Sequence, residues 1–333
     1  MIVSSPTPST NILGLRDMWR LVMLNRKVSF GLAILAFFVL LALVGPLFLR
    51  QDPNTFGPDI LQSPSAAHWL GTTQTGQDIL TQLVVGTRYS LLMGFAIGIA
   101  TMIISVIIGL ASGYFGGLID EALSLFTNVF LVLPTLPLAI LLAAFAAYRG
   151  PLTIIIVLTV TGWSWGARVL RAQTLSMRSR DYVEAAKASG ESTLRIIFFE
   201  ILPNETSIVA AELLGTVIYA ILAETGLEFL GLGDITGTSW GTMLYWAGNN
   251  DALLLGAWWW FLPPGLCIAL LGAGLAFVNF GIDELANPRL RNEPGPKKAQ
   301  RQSKRHQTEL QKAEEFDSHP SNDAIASSFA QDG

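Results

Sequence analysis

Three carboxylates interrupt the otherwise apolar run 206–233: Glu212, Glu224 and Glu228. An ionisable side chain inside hydrocarbon is costly, so it faces a bundle interior or a water-filled path and is a functional candidate by default. Measured from the start of that run at about 1.5 Å per helical residue, Glu212 lies roughly 10 Å in and Glu224 nearer the opposite end. Twelve residues separate the two, about 120° around a helix, so one face does not carry both. Glu212 reads as a structural polar contact. A second chemical candidate, GTTQTGQD at 71–78, has the G-x4-G spacing of a phosphate-binding loop, but Gln77 and Asp78 stand where such a loop needs a lysine and a hydroxyl. No other Walker-type stretch occurs, so the chain is not expected to hydrolyse ATP. His68, His306 and His319 show no metal-ligand spacing, and Cys267, the sole cysteine, has no intrachain disulfide partner. With no paired histidines, no HExxH and no Ser/His/Asp arrangement, the sequence points away from a membrane-embedded enzyme and from a metal or cofactor of its own.

The stretch DYVEAAKASGESTLRIIFFEILPN, 181–204, is the most polar segment of the apolar two-thirds of the chain. Helical periodicity puts Tyr182, Ala185, Ala186 and Ser189 on one face, with Glu184, Lys187 and Glu191 pointing elsewhere. Gly190 follows where a left-handed residue ends a helix cheaply. A second helix is expected to restart with Leu194, Ile196 and Ile197 apolar and to stop at Pro203. The product is a small helix–turn–helix presenting an alanine shelf, suited to a partner's groove. The plain alternative is a loop that returns the chain to the membrane.

The elements that must position these residues are membrane helices. Only 14% of residues are charged, against about 25% in soluble chains. The runs 28–49, 89–119, 122–148, 150–167 and 252–282 contain no Asp, Glu, Lys or Arg. Crossing hydrocarbon takes roughly 20 apolar residues; run 150–167 can be extended because Arg168 and Arg171 snorkel. With 206–233, the count is six spans in an all-α polytopic membrane protein. Placing them in order leaves eighteen Lys and Arg on one side and three (Arg50, Arg88 and Arg149) on the other. The positive-inside rule then puts both termini, and segment 181–204, in the cytoplasm.

The organisation expected is a cytoplasmic N-terminal amphipathic segment 1–28, a first span 29–49, an external loop 50–88, a core of five further spans over 89–285, and a disordered cytoplasmic tail 292–333. Alternation of Ile12, Leu15, Trp19 and Val22 with basic residues reads as an interfacial helix, or else as an extension of the first span. Small-residue pairs Gly94/Gly98 and Gly109/Gly113 suit close helix packing. Pro134 and Pro137 should kink the third span, and WWWF at 258–261 reads as an interfacial aromatic belt.

Several motifs carry a family resemblance. Glu184-Ala185-Ala186, three residues ending in Ser189, Gly190 and then Ile201-Leu202-Pro203 resemble the EAA loop of permeases of binding-protein-dependent ABC importers; Glu200 stands where that pattern has isoleucine. HWLGTTQTGQDILTQLVVGTRYSL at 68–91, AILAETGLEFLGLG at 220–233, SWGTML at 239–244 and GIDELANPRLR at 281–291 are similar, in order, to motifs of the dipeptide/oligopeptide/nickel "C" permeases. The likeness covers roughly residues 10–291. Departures are Thr73 in place of Asp, Gln77 in place of Arg, Asn287 in place of Asp, and a GDITGT loop without the usual prolines.

The resemblance implies a type I ABC importer permease fold with cytoplasmic EAA coupling helices. It implies an inner-membrane subunit forming half of a peptide pathway, surrounded by lipid. Its partners would be a second related permease, two cytoplasmic ATPases that bind ATP and Mg, and an extracytoplasmic substrate-binding protein, with no nucleic acid involved. Tyr182, Glu184, Ala185, Ala186, Ala188, Gly190, Ile201, Leu202 and Pro203 would contact or support an ATPase. Glu224 matches the family's AILxE glutamate, which leaves a pathway or gate role beside a structural hydrogen bond. The alternatives are the same architecture importing nickel or another small solute, and an ATP-independent secondary transporter whose polar loop is a linker.

Overall fold

The computed structural model describes residues 26–49 and 52–286. The expected interfacial helix before Arg26 and the expected tail lie outside them. Ten α-helices follow in order: α1 Arg26–Phe48, α2 Ile79–Phe115, α3 Gly117–Val132, α4 Thr135–Ala144, α5 Pro151–Gly162, α6 Ser164–Met177, α7 Asp181–Ala188, α8 Leu202–Phe229, α9 Trp240–Asn249 and α10 Trp258–Ala286. Between α7 and α8 lie a single turn, Thr193–Arg195, and a π-helical turn, Ile196–Ile201. Among the described residues the sole β-type pairing is an isolated antiparallel bridge, Thr72 to Asp78. The protein is all-α.

Four helical stretches are long and apolar enough to cross a membrane: Arg26–Phe48, Ile79–Phe115, Thr193–Phe229 and Trp258–Ile282. Counting each of two bent pairs as one span, α3 with α4 at 84° and α5 with α6 at 43°, brings the total among the described residues up to six. The second span starts ten residues earlier than the charge-free run suggests, because Asp78 caps it by accepting from Thr81 N (2.8 Å) and Thr81 Oγ1 (2.9 Å). The polypeptide breaks at Pro134, as its missing N–H requires. Pro137 does not add a kink: it falls in the first turn of α4, where no intrahelical donor is needed.

The bend at Trp163 has no proline and is not visible in the sequence. The Trp163 carbonyl accepts both from Ala167 N at 3.1 Å and from Ser105 Oγ of α2 at 2.7 Å, and the indole stacks on Phe126 with centroids 5.4 Å apart. Helices α2 and α3 thus brace the bend from outside it. The aromatic run of α10 is more than a belt. Trp258 stays half exposed, but Trp260 is buried and Trp259 Nε1 donates to Thr72 O at 3.3 Å, fastening the loop to the helix.

Close backbone approach sets the centre of the bundle. A Cβ on Gly98 would lie 2.5 Å from Val217 Cγ2 of α8, one on Gly113 would lie 2.6 Å from Thr174 Cβ of α6, and one on Gly109 would lie 2.8 Å from Ala167 O of α6. Helix α2 therefore holds α6 and α8 through glycines on one strip. At the loop end, Phe38 of α1 packs edge-on to Trp240 of α9, with centroids 5.5 Å apart. Trp240, fully buried, donates from its indole to Leu83 O at 3.3 Å and from its backbone N to Ser90 Oγ at 3.2 Å.

Gly98→Val is expected to destabilise the protein by about 1–3 kcal/mol through overpacking. Gly226→Ala, with open space at the Cβ position, should leave it unchanged or slightly firmer. Thermal unfolding of both variants in detergent checks the contrast, and equal melting temperatures would contradict the packing described.

Candidate functional site

Segment 181–204 folds as an elbow projecting from the bundle. Helix α7 closes with Gly190 at φ +78°, Gly190 N bonding to Lys187 O (3.0 Å) and Glu191 N to Ala186 O (3.2 Å). That paired return is the glycine C-cap motif, so the helix end is as the sequence suggests. The next part differs. Residues expected to form a second α-helix stopped by Pro203 instead form the π turn Ile196–Ile201, and Pro203 opens α8 rather than ending a helix. A proline in a first turn costs no hydrogen bond, so the chain runs straight into the span.

Beneath the elbow, Val183, Ile196 and Ile201 form a small core with Tyr114, Met177 and Ala186 packed against it. Of the residues singled out by sequence, Ile201 and Ala186 meet there, while Leu202 joins the neighbouring cluster with Met102, Leu110 and Leu170. Tyr182, Glu184, Ala185, Ala188, Gly190 and Pro203 lie exposed. The buried face of α7 is thus led by Val183, and of the expected alanine shelf Ala185 points outward while Ala186 packs inward, leaving Ala185 and Ala188 as the exposed pair. Leu194 and Phe199 are also exposed, adding apolar surface to this corner.

Fastenings the sequence does not reveal hold together the helices on either side of the elbow. Arg171 of α6 makes a two-pronged bond to Asp120 of α3 (Nε–Oδ1 2.6 Å, Nη2–Oδ2 2.9 Å). Asp120 Oδ1 also accepts from Ser112 Oγ (2.6 Å) and Ser124 Oγ (2.9 Å). Planar guanidinium–carboxylate pairing fixes direction as well as distance. Thr174 Oγ1 donates to the buried Glu205 at 2.9 Å, tying α6 to the start of α8.

Higher in the bundle, the two helix breaks meet α8 around a cleft of about 650 Å³. Thr135 beside the first break and Gly162 and Ser164 beside the second line it, facing Glu212, Thr216 and Tyr219 of α8 and Asn279 of α10. Positions 212, 216 and 219 fall on one helical face. Glu212, read from the sequence as a structural contact, therefore borders open space. Glu224 does not: it is fully buried, away from the lining.

Glu224 and Glu228, one turn apart, are instead sealed at the loop end. Thr225 Oγ1 donates to Glu224 Oε2 at 3.3 Å, and Ser239 Oγ donates to Glu228 Oε2. Ser239 also caps α9, accepting from Thr242 N at 3.0 Å while its own N donates to Thr242 Oγ1 at 2.9 Å. Glycines enclose the Glu228 side chain: a Cβ on Gly241 would sit 2.6 Å from its Oε2, and one on Gly233 would sit 2.8 Å from its Cγ. This clasp joins the two loop-end motifs, FLGLG and SWGTML. At 71–78 the glycines likewise shape a turn rather than a phosphate cradle, and Thr73 Oγ1 accepts from Thr75 N (3.3 Å) and Gln77 N (3.1 Å).

A six-span bundle with broken helices, a cleft between them and an exposed glycine-broken elbow has the form of a membrane permease. The chain belongs to the family described as "Binding-protein-dependent transport system inner membrane component", whose model matches residues 105–292. Residues 15–64 match the N-terminal TM domain of oligopeptide transport permease C, which makes it a "C"-type ABC importer permease subunit. It is 35% identical over 284 residues to the oligopeptide transport system permease protein OppC of Bacillus subtilis, covering 83% of this chain and 91% of that protein. Dipeptide transport system permease protein DppC of the same organism is 36% identical over 284 residues, covering 83% and 86%. A solved structure of the inward-facing MetNI methionine ABC transporter superposes over 58% of this chain and 96% of its own, at 20% identity and a TM-score of 0.43, too distant a likeness to bear on function.

Ser239→Ala removes both the α9 cap and the donor to buried Glu228. A loss of about 2 kcal/mol is expected from the two effects together, read as a lowered melting temperature in detergent. A change within about 0.5 kcal/mol, the range of an ordinary surface substitution, would deny the clasp its role.

Proposed function

We propose that this permease subunit imports short peptides and is driven by ATPases that dock on the elbow. Together with a second, related permease it forms the pathway, its own contribution being the cleft between α4, α5, α6, α8 and α10. A substrate-binding protein on the outer face delivers the cargo. Two ATPase subunits, holding ATP and Mg, sit on the cytoplasmic side with Tyr182, Glu184, Ala185, Ala188 and Gly190 at the contact. Both termini lie in the cytoplasm of a cell whose plasma membrane holds the complex.

The observation that carries the peptide reading is the 35% identity over most of the chain to an oligopeptide permease, with a dipeptide permease equally similar. The docking reading is supported by the outward alanines of α7, standing on a packed underside that keeps the elbow firm. Closure of the ATPases on ATP would move the elbow as a rigid body. Because α6 and α8 are tied through Thr174 and Glu205, the motion would reach both walls of the cleft. A ligand shifts such an equilibrium only through contacts that differ between its two states.

Reconstituted with its partners, the complex is expected to take up labelled di- to pentapeptides in an ATP-dependent manner and to leave free nickel outside. Nickel uptake in place of peptide uptake, or peptide uptake by the chain alone without ATP, would overturn this function. Ala185→Trp adds bulk at an exposed position, so the permease should still fold. Its ATPase should no longer co-purify, or ATP hydrolysis should no longer respond to loaded binding protein. Retention of wild-type association and response would remove the elbow from the coupling path.

A further inference from the structure

We propose that Glu212 and Trp165 form a cation-recognising subsite in the cleft, which takes the protonated amino terminus of the cargo. This rests on the peptide reading above and names the residues that would enforce it within the membrane.

Glu212 is the only Asp, Glu, Lys or Arg among the described residues that line the cleft. A carboxylate placed ten residues into α8, about 15 Å along the helix, is expensive to keep in a membrane and is retained where it serves a polar path. The indole of Trp165 lines the same cleft and is 63% exposed, so its ring is not consumed by packing. A carboxylate and an exposed indole lining one cleft are a chemical match for an ammonium ion: the charge meets the carboxylate, and the ring face adds a cation–π attraction worth about 0.5–2 kcal/mol. A free peptide amino terminus, with a pKa of about 7.7–8.0, carries that charge at neutral pH.

The rest of the wall is suited to peptide groups. Tyr219 OH and Asn279 Oδ1 are buried polar atoms without a hydrogen-bond partner among the described residues, and both residues border the cleft. Tyr219 offers a donor and Asn279 offers both donor and acceptor, which is what peptide carbonyls and amides need. The volume of about 650 Å³ falls within the roughly 300–1,000 Å³ of clefts that hold compounds of tripeptide size. A site built to bond a polar group discriminates strongly against cargo lacking it, because its own groups are then left unpaired.

The test uses the complete complex in proteoliposomes, with its binding protein and labelled tri-alanine as cargo. Glu212→Gln keeps the shape and removes the charge. Uptake should fall tenfold or more, while ATP hydrolysis still rises when loaded binding protein is added. Glu212→Asp should recover a large part of the uptake, and Trp165→Leu should cost severalfold. Wild-type uptake in Glu212→Gln, or in Trp165→Leu, overturns the subsite and leaves the peptide function standing. An equal fall in Glu212→Gln and Glu212→Asp shows a structural role and overturns it too. Absence of tri-alanine uptake by the wild-type complex overturns the peptide reading, and the subsite with it.

Discussion

The architecture depends on one constraint: α2 must touch α6 and α8 almost backbone to backbone. Gly94 and Gly98 admit Ile221 and Val217 of α8, and Gly109 and Gly113 admit Ala167, Leu170 and Thr174 of α6. Lipid supplies no hydrophobic drive between helices, so such contact, with the dispersion attraction it permits, does the holding. The two walls it fixes carry the functional parts. Helix α6 descends to the elbow, and α8 bears the Glu212 face of the cleft.

Around that centre, polar fastenings finish what apolar packing leaves undirected. Asp120–Arg171 fixes the approach of α3 to α6 at the elbow end, and Glu228–Ser239 fixes α9 to α8 at the loop end. Asp120 is met by Arg171, Ser112 and Ser124, whereas Glu228 is bonded by Ser239 through one carboxylate oxygen and enclosed by Gly233 and Gly241. Between these two ends the helices are interrupted rather than tied. The cleft opens where α3/α4 and α5/α6 bend, and the bundle is thus firm at its ends and polar at its waist.

Much of this was legible in the sequence. Five of the six expected spans follow from the charge-free runs, the break at Pro134 from a missing donor, the end of α7 from Gly190, and the glycine strip from its four-residue spacing. What the sequence hides depends on partners distant along the chain. The bend at Trp163 is stabilised by Ser105, 58 residues away, and no local residue announces it. Pro203 was expected to stop a helix, because a proline looks the same at a helix end and in a first turn. Glu224 drew attention over Glu212 through its motif, whereas the bends of other helices decide which carboxylate borders the open space. Glu228 acquires its meaning only from a serine across the Gly231–Gly233 turn.

The wide turn Ile196–Ile201 has a consequence for angular phase. Each residue of an α-helix advances the chain by about 100°, and a π turn accommodates one residue more than an α turn would. The stretch Thr193–Phe229 is a continuous helical rod, so this surplus residue sets the bearing of the rod's first turn, where the chain arrives from α7, relative to Glu212. A deletion of exposed Phe199 that tightened the turn would keep Ile196, Ile197 and Ile201 in the chain. It would nevertheless rotate that first turn by about a quarter-turn relative to the cleft-lining face of α8, so that residue count alone keys one end of the rod to the other.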